Sequence, residues 1–341
     1  MNYREMLDKA RQNMKPKCRV CPECNGIACR GELPGTGGYG NGRSFTVCRE
    51  YLKSVKICMD TLCPETDPDL KQTLLGQEWS MPLMIAPIGG MAFNYNGYLT
   101  DLQYNSAVLE GALQENIPAF SGDTPNESFF RSLLPLIRSG KGSMISTVKP
   151  WPNEYILEKT RMLRDAGAKY FAMDVDSAYL PALKKNGMGG HPKSEEDLRF
   201  LIRESGLKLI VKGVMTAQGA LTAREAGASA IIVSSHGGRH FEDAPATASV
   251  LPEIRSAVGE DFPVFVDGGI RTGADIFKVL ALGADAAMIG RPYAIAVHGA
   301  LAEGVHLYTE RLREELRYIM ALTGCADLRQ IRRDKIRASL P

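Results

Sequence analysis

From residue 81 onward one phrase recurs eight times: a short apolar run ends in Gly, Ser, Asp or Lys, and an amphipathic stretch follows. The runs are Met81–Ile88, Ala119–Asp123, Ser143–Val148, Tyr170–Asp176, Lys208–Val214, Ala228–Ser235, Pro263–Ile270 and Asp285–Arg291. A strand buried on both faces reads as a continuous apolar run, and Ala230-Ile231-Ile232-Val233 is one. Eight strand–helix units in series predict an α/β chain folded as a TIM (β/α)8 barrel over residues 81–341. A doubly wound sheet is the competitor, and the count of eight favours the barrel.

The stretches between the runs carry helix boundaries. Asn153 and Ser194 read as N-caps, the second with Asp197 three residues on. Gly167, Gly227 and Gly283 each close a helix where a left-handed residue is needed and then run straight into the next apolar segment. The stretch from His298 to Thr323 is long enough to complete the outer ring. Residues 1–80 precede the barrel as an extension holding a polar helix (Tyr3–Asn13), a Cys-rich loop and a Gly-rich stretch. Gly35-Thr36-Gly37-Gly38-Tyr39-Gly40 matches the dinucleotide fingerprint in spelling only. No strand precedes it, so a lid or turn is expected there.

Composition narrows the partners. A net charge of +2 with 23% charged residues provides no field for nucleic acid or a membrane surface. No apolar run approaches the length that spans a bilayer, and Met1–Lys17 lacks a signal-peptide core. A cytoplasmic location is the expectation, and the sequon Asn126-Glu127-Ser128 then carries no consequence. Seven of the eight cysteines lie in the first 63 residues, with Cys325 alone near the end. Cys18-x2-Cys21-x2-Cys24-x4-Cys29 can place thiolates around zinc or an iron–sulfur cluster. It departs from the bacterial ferredoxin run in its last gap and in having no proline after Cys29. A surface segment of reduced thiols is the other reading.

Barrel enzymes hold their chemistry at the C-terminal ends of strands. Here those ends read Asp174-Val175-Asp176, Lys212-Gly213, Ser234-Ser235-His236-Gly237-Gly238-Arg239, Asp267-Gly268-Gly269-Ile270-Arg271 and Gly290-Arg291. The two Gly-Arg clusters on neighbouring strands predict a phosphate site, with exposed backbone N–H groups and forked donors. His236 and Arg239 suit proton transfer beside a bound carboxylate, with Asp176 orienting the imidazole. Lys212 is the only charge in its buried run, so it needs an anionic partner: a bound reduced flavin, or a strand carboxylate such as Asp176.

Leu209-Ile210-Val211-Lys212-Gly213-Val214, Ser234-x-His236-Gly237-Gly238-Arg239, Asp243-x-Pro245-Ala246-Thr247 and Leu251-Pro252-Glu253 resemble the FMN-dependent α-hydroxy acid oxidases and dehydrogenases, the glycolate oxidase and lactate oxidase family. So do Asp267-Gly268-Gly269-x-Arg271-x-Gly273-x-Asp275, Gly290-Arg291-Pro292 and, upstream, Met84-Ile85-Ala86-Pro87. The resemblance implies bound FMN. Backbone of Pro87, Ile88 and Gly89 would meet the flavin ring, Ser121 would approach it, Lys212 would face N1 and the C2 carbonyl, and Ser234 would touch its edge. Asp267, Gly268, Gly269, Arg271, Gly290 and Arg291 would hold ribityl and phosphate. His236 would be the base that oxidises a 2-hydroxy acid to a 2-oxo acid, Arg239 would bind its carboxylate, and Asp176 would support His236. Oxygen or another acceptor would take the electrons, and the family suggests a homotetramer.

The chain also departs from that family. The arginine expected after the fourth strand is missing from Ser177–Lys185, where Lys184 or Lys185 is the nearest cation. Gly122-Asp123 stands where an aromatic is expected, Ile145 and Thr147 stand where Gln and Tyr are usual, and Tyr39 is the only counterpart for the N-terminal pocket tyrosine. Asp174 replaces a flavin-contacting threonine and could accept the flavin N3–H. The substrate pocket is therefore expected to be rebuilt around a retained flavin site. A non-redox FMN isomerase resembling type 2 isopentenyl diphosphate isomerase, which would need a diphosphate pocket and divalent metal, and a flavin binder without turnover are the competing functions.

Overall fold

Short β-branched and alanine-rich runs flanked by left-handed glycines form the strands of a closed parallel barrel. The structure is a computed structural model that describes residues 1–32, 42–65, 67–180 and 189–338. Gly35–Gly40, Tyr39, Lys184 and Lys185 lie outside the described residues. The chain first lays down α1 (Tyr3–Asn13), α2 (Arg43–Ser54), β1 (Lys56–Ile57) and a hairpin of β2 (Gln72–Leu74) and β3 (Gln77–Trp79). The barrel strands follow: β4 (Leu83–Ile88), β5 (Ala119–Ser121), β6 (Met144–Val148), β7 (Tyr170–Asp174), β8 (Lys208–Val214), β9 (Ala230–Val233), β10 (Val264–Val266) and β11 (Ala286–Ile289). All neighbours pair in parallel, and β11 closes on β4 through Ala287↔Leu83.

Helices α3 (Met91–Asn94) and α4 (Asp101–Glu115) follow β4, and α5 (Glu127–Ser139), α6 (Asn153–Asp165) and α7 (Glu195–Ser205) follow β5, β6 and β7. Next come α8 (Ala217–Glu225), α9 (Leu251–Val258), α10 (Gly273–Ala281) and α11 (Arg291–Leu322), while β12 (Ile336–Arg337) returns to pair antiparallel with β1. Ser194 caps α7 in a reciprocal pair with Asp197, as its spacing predicts. Asn153 does not cap. Pro152 holds the cap position and α6 begins at Asn153, whose amide instead donates to Asp197 at 2.7 Å. The last helix starts at Arg291 rather than His298 and is broken at Ala300 and Leu301, where the backbone leaves helical angles.

Strand alternation fills the barrel with Met84, Ala86, Phe120, Ile145, Ala172, Ile210, Ile232, Phe265 and Met288. The hairpin supplies a plug for the N-terminal end: Leu74 and Trp79 join that inner cluster, and Tyr170, the first residue of β7, donates its hydroxyl to the Leu75 carbonyl. The opposite end is thus left for chemistry. Outside the barrel, α1 and α4 pack against α11, and Met6, Ala10, Met14 and Leu52 share the outer core with the barrel helices. Among the described residues no helix is long and apolar enough to cross a membrane.

Candidate active site

The alternation that turns Ala172, Ile210, Ile232 and Phe265 inward places Asp174, Lys212, Ser234 and Asp267, each two residues on, over the same face at the barrel mouth. These four are buried. Lys212 donates to Ser234 Oγ at 2.8 Å, and Ser234 donates to Asp267 Oδ2 at 2.8 Å. The ammonium lies 3.4 Å from that carboxylate. Burial works against the Lys212 charge, but Asp267, Asp176 and Asp174 outweigh it and raise its pKa, so the group is an ammonium. The carboxylate partner of Lys212 is therefore Asp267 and not Asp176, because Asp267 lies on the same inward row.

Asp176 faces His236 instead. His236 Nδ1 is 3.1 Å from Asp176 Oδ1. Burial, with the nearby Lys149 and Lys212, pulls the imidazole down to about 4 against the opposing pull of Asp176. Asp176 is itself buried, yet His236 and Lys212 hold its carboxyl well below the usual range. The resting pair is thus a neutral imidazole donating from Nδ1 to a carboxylate, which leaves Nε2 as the proton acceptor. His236 sits at φ 52, in a left-handed turn continued by Gly237 and Gly238. That strained backbone turns the side chain over the mouth.

Two groups escaped the sequence reading. His240 Nε2 lies 3.3 Å from Asp176 Oδ2, so two imidazoles share one carboxylate. Lys149, just beyond the end of β6, places its ammonium 2.5 Å from Asp174 Oδ2, which is 3.7 Å from His236 Nδ1. The inward row through Ile145 and Thr147 leads to Lys149, and that period-two continuation was the available signal. A cavity of about 530 Å³ opens here, lined by Asp176, Gly213, Ser234, His240, Phe241 and Pro245 among others.

The departures from the family pattern have physical causes. A Cβ on Gly122 would lie 2.8 Å from the Gly89 nitrogen and 2.9 Å from the Ile88 carbonyl carbon, so the β4 segment Pro87–Gly89 leaves no room for an aromatic. Asp123 is a structural anchor: it pairs with the fully buried Lys159 at 2.9 Å and accepts from the Trp151 indole and the Lys149 backbone.

Helix α2 covers the side of the mouth that carries Gly238 and Gly269. A Cβ on Gly238 would be 2.4 Å from the Phe45 nitrogen, and one on Gly269 would be 2.7 Å from the Cys48 carbonyl oxygen. Those glycines are required by this close approach, whatever they bind. The guanidinium of Arg291 stacks 4.3 Å from the Phe45 ring centroid and donates to the Gly237 carbonyl at 3.2 Å. Arg271 stacks on the same ring and donates to the Cys24 carbonyl at 2.9 Å. Burial and the charge of Arg291 pull Arg239 down to about 10. Arg239 and Arg271 thus gather about Arg291, the first residue of α11, and the three guanidiniums favour a bound anion.

The residues around the mouth fit a flavin. Ser121, Thr147 and Ser235 hydroxyls, Asp174 Oδ1 and Asp267 Oδ1 are buried with no hydrogen-bond partner among the described residues. Such a ring of donors and acceptors suits an aromatic system edged with N–H and C=O groups. Pro87, Ile88 and Gly89 border it half-buried, and Gly268 and Gly269 turn left-handed beside it.

Comparison with known proteins agrees. A family model described as FMN-dependent dehydrogenase matches residues 35–185 and 157–338. The L-lactate oxidase of Lactobacillus jensenii is 32% identical over 304 residues, covering 80% of this chain and 72% of that enzyme. Glycolate oxidase 5 of Oryza sativa subsp. japonica is 32% identical over 296 residues, 79% of this chain and 80% of the relative. The L-lactate oxidase of Alicycliphilus denitrificans is 46% identical, but over 41% of its own length. A mandelate oxidase solved with 2-hydroxy-phenylacetamide superposes with a TM-score of 0.79 at 26% identity, covering 99% of this chain and 98% of that one. Barrel, mouth and sequence agree: the chain belongs to the FMN-dependent dehydrogenase family.

Proposed function

We propose that this protein, with FMN bound, oxidises a small 2-hydroxy acid to its 2-oxo acid at the mouth of the barrel. FMN, when bound, takes up the two electrons that leave the substrate. The observation that carries the reading is His236 Nδ1 at 3.1 Å from Asp176 Oδ1, on a residue that stands three before Arg239. His236 Nε2 accepts the substrate proton, and Asp176 stabilises the imidazolium that results. Arg239 holds the substrate carboxylate with its forked donors. Lys212 sets a fixed positive charge beside Asp267 and Ser234 on the flavin side, and Asp174 Oδ1 accepts from the ring edge. Ser121 and the Pro87–Gly89 backbone support the ring, while Arg271, Arg291 and the N–H groups of Gly268, Gly269 and Gly290 hold the phosphate. Lys149 provides a second cation near the base and takes over the charge of the absent arginine.

The test is an anaerobic absorbance titration of the FMN-loaded protein with a panel of 2-hydroxy acids. Bleaching of the flavin bands by at least one acid is expected, and readmitted air separates oxygen from another acceptor. A flavin that no 2-hydroxy acid reduces would overturn the reading. We further propose cytoplasmic residence and a homotetramer, on the likeness to the family; sedimentation of the loaded protein tests the assembly.

A further inference from the structure

The four cysteines singled out by their spacing take no part in this reaction, yet they converge. Cys18, Cys24 and Cys29 line one small cavity of about 30 Å³ with Lys17, Phe45 and Arg291. Cys21 lies within electrostatic reach of Cys18 and Cys29. All four are free thiols. The loop that carries them is held in shape from outside. Arg19 and Glu32 close its ends with two contacts of 2.7 and 3.0 Å, and Arg11 holds the Val20 carbonyl. Inside it, Val20 sits at φ 46, a conformation a β-branched residue adopts only under constraint, and its N–H points at Cys18 Sγ from 3.4 Å. Gly26 turns left-handed between the third and fourth cysteines, against the Phe45 ring. The Arg271 guanidinium reaches Cys24 Sγ at 3.9 Å, so thiolates here would face positive charge.

We infer that Cys18, Cys21, Cys24 and Cys29 are the ligands of an iron–sulfur cluster docked against Arg271 and Arg291. Two observations favour a cluster over zinc. Zinc draws four thiolates to about 3.8 Å from one another, as tetrahedral bonds of about 2.3 Å require. The ligand-atom groups of three or more that close to 4.8 Å among the described residues are Asp176–His236–His240 and Glu115–His306–Glu310, and the four sulfurs form no such group. The first three cysteines also keep the C-x2-C-x2-C spacing of the ferredoxin run, with the fourth one residue further on, and the set is not two pairs far apart as in zinc sites.

The experiment is anaerobic reconstitution of the full-length, FMN-loaded protein with ferrous iron and sulfide. It is followed by iron, sulfide and zinc analysis and by electron paramagnetic resonance after dithionite reduction. About four iron and about four sulfide per chain are expected, with a broad absorbance beyond the flavin bands. C24A and C29A should each lose at least half of that iron while keeping their FMN, and C63A, outside the run, should keep both. A wild-type protein that retains only trace iron, or that takes up one zinc in its place, overturns the inference. So does iron content unchanged in C24A and C29A. The FMN content reports separately on the flavin site, so a failed cluster and a failed flavoenzyme are distinguishable.

Discussion

His236 Nδ1 stands 3.1 Å from Asp176 Oδ1, and the pair is built by two neighbouring left-handed positions, one in each supporting strand end. His236 itself occupies φ 52. On β8, Gly213 occupies φ 100, and a Cβ there would lie 2.4 Å from Asp176 Cβ and Cγ. The carboxylate occupies the space that a side chain at residue 213 would fill.

The acid limb of activity follows from burial. His236 must be neutral to take a proton, and its pKa is pulled to about 4. On the free enzyme kcat/KM should therefore hold as pH falls through 6.5 and decline only as it nears 4. A limb centred near 6.5 would show that the imidazole is not desolvated. H236A should lower kcat by about 10²- to 10⁴-fold with FMN retained.

Lys149 depresses the proton affinity of His236, so K149M should move the acid limb upward, toward 6.5. The same change strands Asp174 as a buried carboxylate and should cost about 3–5 kcal/mol in urea unfolding. Adding D174N should recover most of that loss. If K149M alone leaves stability and pH profile unaltered, the ion pair has no role in either.

Arg239 offers a planar fork where lysine offers a point charge. R239K should raise KM for the hydroxy acid by about 10- to 100-fold, as expected for a charged hydrogen bond worth about 1.5–3 kcal/mol. FMN affinity, measured by fluorescence on dilution, should change little. Equal losses in both would place Arg239 at the phosphate instead.

Gly213 sets the position of Asp176, whose Cβ and Cγ fill the space a side chain there would take. G213A should lower kcat by about 10²-fold, the scale of an ångström-sized misplacement, and lower the acid limb further as the carboxylate moves off His236. Wild-type kinetics in this variant would mean that the loop absorbs the methyl group.

The eight strands were legible because a buried parallel strand must be apolar throughout, and all eight predicted runs contain one. The inward row Asp174, Lys212, Ser234 and Asp267 was legible for a related reason: a polar residue ending such a run has only the mouth to occupy. The β2–β3 hairpin was not. Its six strand residues include three glutamine or glutamate side chains and carry no alternation of their own, and Trp79 becomes core only because the barrel floor is there to receive it.

By itself, then, the sequence determined the barrel and the Gly-Arg ends and put His236 at the end of a strand, since each is encoded in local periodicity and spacing. Tertiary structure alone decided who pairs with whom. It gave Lys212 to Asp267, set His240 on Asp176 and Lys149 on Asp174, and brought α2 onto the glycines at 238 and 269. Side chains far apart in the chain meet there, and a buried charge takes whichever opposite charge the closed barrel brings nearest.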